Sequence, residues 1–134
     1  MLRLLKKRVE LVEGEGVAEK AGRLFDSGLN CTQAVLQACI GLDDPQLMKM
    51  AEAFGGGIGD SRCLCGAVTG GVMALGLKGK GKKAARLMEE FKARNRVTCC
   101  KSLSAPYPWL SKEHLANCRR ITAETAAMVE RLLK

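Results

Sequence analysis

The stretch from Phe54 to Gly76 reads FGGGIGDSRCLCGAVTGGVMALG, and it constrains the fold more than any other segment. Its second half is apolar on every side, and a helix with no polar face has to be buried all round. Gly66, Gly70 and Ala74 fall four residues apart, with Ala67 and Gly71 beside them. The expected helix, from about Cys65 to Leu77, therefore has a smooth face that another backbone can approach closely. The rest of the chain must wrap around it. With 134 residues, residues 1–134 are expected to form one domain that buries roughly 65–70% of its unfolded surface.

Elsewhere the apolar periodicity is helical and strand-like alternation is missing. A first helix is expected over the N-terminal dozen residues, ending at Gly14-Glu15-Gly16. A second starts near Val17, with Val17, Ala21, Leu24 and Phe25 on one face, and stops at Gly28. Asn30 caps a third, with Ala34, Val35, Ala38 and Leu42 inward. Asp44-Pro45 opens a fourth, with Asp as cap and Pro at the first helical position. It carries Leu47, Met48, Ala51 and Phe54. After the central helix, Lys78 to Gly81 link to a basic helix with Ala84, Leu87, Met88 and Phe91 inward. Ser111 caps a long last helix with Leu115, Cys118, Thr122, Thr125, Val129 and Leu132 as its stripe. The fold class is all-α: a single-domain bundle of five to seven helices with a glycine-rich loop.

The net charge is +8. Lys78, Lys80, Lys82, Lys83, Arg86, Lys92, Arg94 and Arg96 face only Glu89 and Glu90 in their stretch. This is either a solvated helix face or an anion-seeking patch for nucleic acid, an acidic partner or an acidic lipid surface. Phe91 is the one aromatic among them, so base stacking and specific nucleic-acid binding gain no support. No run of about 18 apolar residues suggests a membrane span. Charges at positions three, six, seven and eight leave no export signal, so a cytoplasmic protein with reduced thiols is expected.

Seven cysteines stand out: Cys31, Cys39, Cys63, Cys65, Cys99, Cys100 and Cys118. A core of this size needs no disulfide staples, and the odd number precludes complete internal pairing. Cys31 follows the Asn30 cap, Cys65 begins the central helix, and Cys99-Cys100 follow Thr98. Helix N-termini stabilise thiolates and are expected to lower the pKa of these groups. Cys39, inside AVLQACIGL, and Cys118, on an apolar stripe, read alone as packing. Cys63-x-Cys65 could hold one metal or form a strained disulfide. Adjacent Cys99 and Cys100 point apart, so one of them belongs to any common site. His114, the single histidine, is expected at the surface near a helix start.

Several familiar sites are absent. No second tight pair makes a zinc ribbon, and C-x-x-C-H for haem does not occur. Gly76 to Lys83, GLKGKGKK, is one residue short of a P-loop and follows a helix. Gly55-Gly56-Gly57-Ile58-Gly59 lacks the strand and downstream acid of a dinucleotide fingerprint. It reads better as a loop whose N–H groups reach an anionic sulfur centre or ligand.

Taken in order, these residues resemble the C_GCAxxG_C_C family, small proteins described as redox-active. The resemblance runs from Ala18 to the end, about six-sevenths of the chain. It rests on AEKAGRLFDSGLNCTQAVLQA, FGGGIG, Cys65-Gly66-Ala67-Val68-Thr69-Gly70 with GVMALGL, Phe91, Cys100-Lys101-Ser102-Leu103 and Cys118. The core reads Cys-Gly-Ala where the family name gives Gly-Cys-Ala. The resemblance implies Cys31, Cys65, Cys100 and Cys118 as the family cysteines, with Cys39, Cys63 and Cys99 as extras. A similar domain occurs in a multihaem cytochrome with a non-haem iron or iron–sulfur centre, which implies a cluster here; the haem part has no counterpart.

Three expectations follow. In the first, Cys31, Cys65, Cys100 and Cys118 are redox-active and converge beside the glycine loop on an iron–sulfur cluster or other metal. Cys63 would be a further ligand, Gly55, Gly56, Gly57, Gly59 and Gly66 would line the cofactor, and an acidic protein would be the electron-transfer partner. In the second, the protein is a cofactor-free thiol/disulfide redox protein. In the third, it is a non-catalytic interaction module with packing cysteines. The large share of apolar helix is compatible with a homodimer.

Overall fold

A computed structural model describes residues 15–41 and 43–134. The expected N-terminal helix and the inward placement of Leu42 lie outside these residues. Seven α-helices follow one another among the described residues: α1 Val17–Asp26, α2 Cys31–Ile40, α3 Pro45–Glu52, α4 Gly66–Leu77, α5 Ala84–Asn95, α6 Cys100–Ser104 and α7 Lys112–Leu133. One short 3-10 turn, Gly81–Lys83, leads into α5. The fold is all-α.

The helix starts follow from local chemistry. Asn30 accepts a hydrogen bond from Gln33 N, and the Gln33 side chain accepts one from Asn30 N, a reciprocal box that satisfies two free amides of α2. Asp44 accepts from Gln46 N and Leu47 N, with Pro45 next. Ser111 accepts from His114 N at the start of α7. Each such cap contributes about 1 kcal/mol.

α4 sits at the centre, packed on α2, α5 and α7. Its glycines fit three different neighbours. A Cβ on Gly70 would strike the Thr32 carbonyl of α2. One on Gly71 would come within 2.7 Å of Leu87 and 2.8 Å of Val129, on α5 and α7. One on Gly66 would lie 2.5 Å from both Cys31 Sγ and Thr32 Oγ1. The main core joins Val35, Leu36, Val68, Leu75, Leu87, Phe91, Ile121 and Val129. A smaller cluster, Ala21, Leu24, Ala34, Ala38 and Ala126, seals α1 onto α2 and α7.

The stripe expected on α7 holds at Thr122, Thr125 and Val129, which are buried, but fails at its first position. Leu115 is 42% exposed, whereas His114 is 2% exposed. The expectation of a surface histidine is thus overturned. His114, four residues before Cys118, takes the inward place expected of Leu115, its neighbour about 100° away on the helix.

Candidate thiol site

The chain brings four cysteines to one place from four segments. Cys31 is the first residue of α2, Cys65 precedes α4, Cys100 begins α6, and Cys118 lies in the second turn of α7. All four line one cavity of about 30 Å³, together with Gly66, Leu103, Ser104, Ile121 and Thr122. Gly66 has to be glycine here, because Cys31 Sγ occupies the space of its missing side chain. Larger surface grooves lie elsewhere. One of about 660 Å³ between α1 and α7 is lined by Phe25, Leu29, Leu115 and Arg119 and holds no cysteine.

Two chain segments are laced together at the edge of this cavity. Cys65 N donates to Thr98 O at 2.8 Å, Cys100 N to Cys63 O at 2.5 Å, and Lys101 N to Arg62 O at 3.0 Å. The bonds enclose an antiparallel bridge between Leu64 and Cys99. Arg62 reaches this position through a left-handed backbone, φ 59°, which costs roughly 1–2 kcal/mol for a residue with a Cβ. Its guanidinium lies 4.1 Å over the Trp109 ring, and Trp109 stacks on His114 at 4.3 Å between centroids.

Burial dominates the acidity of these thiols. Helix-start amides of Cys31, Thr32 and Gly66 favour a Cys31 thiolate, but burial pushes its pKa up, and the Cys100 charge adds to that. At Cys65, burial and the Cys31 charge raise the pKa against the pull of Ala67 and Val68 N–H. Cys100 is likewise raised by burial, with a hydrogen bond from the Ser104 side chain working the other way. Burial takes Cys118 up to about 12, helped by the charges of Cys31 and Cys100. The lowering expected at Cys31, Cys65 and Cys100 is therefore corrected: loss of water outweighs the helix end. The charges of Cys31 and Cys100 each raise both Cys65 and Cys118.

His114 joins the set from α7. Leu110 N donates to its Nδ1 at 2.9 Å, so the proton of the neutral ring sits on Nε2. Nε2 stands 3.2 Å from Ser104 Oγ and 3.4 Å from Cys118 Sγ. Burial, then the Arg62 charge, lowers the pKa of this ring. A neutral imidazole with a fixed tautomer thus offers one N–H toward a cavity sulfur and a cavity hydroxyl. The signal for it in the sequence was the four-residue spacing of His114 and Cys118 on one helix.

The other cysteines sit apart from the cavity. Cys99 Sγ turns out to Arg62 O at 3.4 Å, and its pKa is lowered chiefly by the Ser102 N–H. Cys39 packs in the core, donates to Ala126 O at 3.8 Å, and is raised by burial to about 12. Cys63 is exposed.

The glycine loop is also placed apart. Gly55, Gly56 and Gly59 border an open groove with Asn30, Lys49, Glu52 and Asp60. The N–H groups of Gly55, Ile58, Gly59, Asp60, Arg62 and Cys63 all donate to carbonyls of residues 52–58. They are spent within the loop, and Gly66 alone of the five expected glycines borders the cavity.

Four sulfurs are the donors a soft metal prefers. Their arrangement as it stands does not fit a cluster: among the described residues no three His, Cys, Asp or Glu groups are placed to hold one ion. About 30 Å³ is room for one or two waters. Thr122 Oγ1, fully buried on the cavity wall, has no partner among the protein atoms. A small polar guest suits that space better than several metal ions.

Among the described residues no helix is long and apolar enough to cross a membrane. Residues 29–132 match the family described as "Putative redox-active protein (C_GCAxxG_C_C)". No curated protein and no solved structure matches the chain.

Proposed function

The chain belongs to the C_GCAxxG_C_C family of redox-active proteins, and from that premise we propose that it is a thiol/disulfide redox protein working through its four cavity cysteines. The observation that carries this reading is the convergence of Cys31, Cys65, Cys100 and Cys118 on one small cavity. Oxidation joins two of these thiols as a disulfide and releases two electrons and two protons to a disulfide-type acceptor; reduction reverses this. Cys31 and Cys100 are taken as the exchanging pair, because both line the cavity and the charge of each is felt at the remaining two thiols. Their raised pKa keeps them as thiols at neutral pH, so the site is guarded against casual oxidation.

Ser104 and His114 supply what such a pair needs when a thiolate forms. Ser104 bonds to Cys100, and His114 Nε2–H serves Ser104 and Cys118. A transient negative charge in the apolar cavity thereby meets fixed donors. The basic run Lys78 to Arg96 would dock an acidic redox partner. The reading assumes a reducing compartment such as the cytoplasm.

The test is anaerobic purification followed by iron, sulfide and zinc analysis and thiol counting before and after oxidised glutathione. Metal-free protein that loses two thiols reversibly, and fails to do so as Cys31→Ser or Cys100→Ser, supports the reading. Stoichiometric metal that masks the four thiols would replace it with the thiolate-bound metal centre. Cysteine variants that change stability alone would leave the interaction module.

A further inference from the structure

Cys63 stands outside the cavity and outside the four family cysteines, yet the backbone sets it directly across from Cys100. In the antiparallel pairing of Leu64 with Cys99, the next opposed residues on one side are Cys63 and Cys100. The hydrogen bond from Cys100 N to Cys63 O at 2.5 Å fixes that register. Cys63 N donates to Gly57 O, so the pair makes one of its two possible bonds; opposed residues of an antiparallel ribbon have Cα atoms about 4.5–5.5 Å apart. Disulfides span Cα separations of about 4.4–6.8 Å. Side chains of opposed residues leave the ribbon on the same face, whereas Cys99 and Leu64 leave on the other. Cys63 is exposed and Cys100 borders the cavity. One residue of the pair is thus open to solvent, and the other, partly exposed itself, borders the cavity thiols.

We propose that Cys63 and Cys100 form a reversible disulfide that passes oxidising equivalents from a small-molecule disulfide in solution to the cavity cysteines. This rests on the thiol/disulfide reading above and gives that site its route to solvent. The Cys63 thiolate attacks one sulfur of the external disulfide, forming a mixed disulfide and releasing one small thiolate. Cys100 then gives up its proton and attacks Cys63 Sγ, releasing the second small thiol. Two protein thiols have become one disulfide, and one external disulfide has become two thiols. Cys31 next attacks Cys100 Sγ; the Cys31–Cys100 bond forms, the Cys63–Cys100 bond breaks, and the Cys31 proton goes to Cys63. Arg62 and Lys101 flank the pair in sequence and would draw in an anionic disulfide.

The probe is oxidised glutathione, added anaerobically to the fully reduced chain. Samples are acid-quenched, alkylated and mapped by mass spectrometry over time, for wild type, Cys63→Ser and Cys100→Ser. The expected result is a Cys63–Cys100 crosslink that precedes the Cys31–Cys100 crosslink. Cys100→Ser should trap glutathione on Cys63, and Cys63→Ser should slow oxidation of the cavity thiols at least about tenfold. Cys63 is exposed, so its serine variant should keep the wild-type helical signal and melting midpoint. Cavity thiols that oxidise equally fast in Cys63→Ser, or a Cys63 crosslink to Cys65 or Cys99 instead, would overturn the route and leave the cavity reading intact. Absence of any cavity disulfide in all three chains would overturn both.

Discussion

Gly70 offers a sharp test of the packing that brings the thiols together. Replacing glycine by alanine inside a helix gains about 1 kcal/mol of intrinsic helix stability. At Gly76, where an added Cβ meets nothing within 4 Å, that gain should appear nearly whole. At Gly70 the same methyl group runs into the Thr32 carbonyl, a backbone atom that cannot swing aside. Overpacking of this kind costs about 1–3 kcal/mol and sometimes more. Set against the gain, Gly70→Ala should be destabilised by up to about 2 kcal/mol, so the two alanine variants should differ by about 1–3 kcal/mol. Because Cys31 begins α2 and Cys65 precedes α4, pushing these helices apart should also widen the thiol site. Urea unfolding under reductant, with both variants at matched slope, reads the difference directly. A Gly70→Ala chain as stable as Gly76→Ala would refute close α2–α4 contact as the basis of the site.

Two further outcomes follow from other residues. Cys39 is raised to about 12 from 9.0 by burial, so the unfolded chain ionises this thiol first and stability should fall as pH rises from about 9 toward 12. The slope is at most about 1.4 kcal/mol per pH unit. Cys39→Ala should show a shallower fall in urea midpoint between pH 9 and 11, and equal slopes would contradict the assignment. His114→Ala leaves Leu110 N–H and Ser104 Oγ without their ring partner, which should cost about 1–3 kcal/mol in thermal or urea unfolding. A neutral effect would place His114 outside the buried network.

The parts of this fold that were legible in the sequence are those decided by local chemistry. Asn30 with Gln33, Asp44 with Pro45, and Ser111 each satisfy amides within three residues, so their helices start where expected. The all-apolar stretch after Cys65 could only be central. What escaped depends on contacts distant in sequence. His114 or Leu115 could each face inward from α7, and the choice was made by Ser104 and Trp109. Helix starts suggested acidic thiols, but the depth of burial at Cys31 and Cys65 is set by α4 against α2. The amides of Gly55, Ile58, Gly59, Asp60, Arg62 and Cys63 turn onto the loop's own carbonyls, in a run where Ile58, Asp60 and Arg62 adopt left-handed backbones, which residues with a Cβ rarely do. The pairing of residues 62–65 with 98–101 is too short to leave an alternating pattern.

The central claim is that the cavity cysteines exchange between thiols and a disulfide. The most direct measurement is disulfide mapping of the native, metal-analysed chain equilibrated anaerobically across a series of glutathione redox buffers. The account predicts one two-electron transition in which Cys31 and Cys100 become crosslinked while Cys39 stays free. Four cavity thiols that remain reduced across the whole series, with oxidation confined to Cys63 and Cys99, would contradict it.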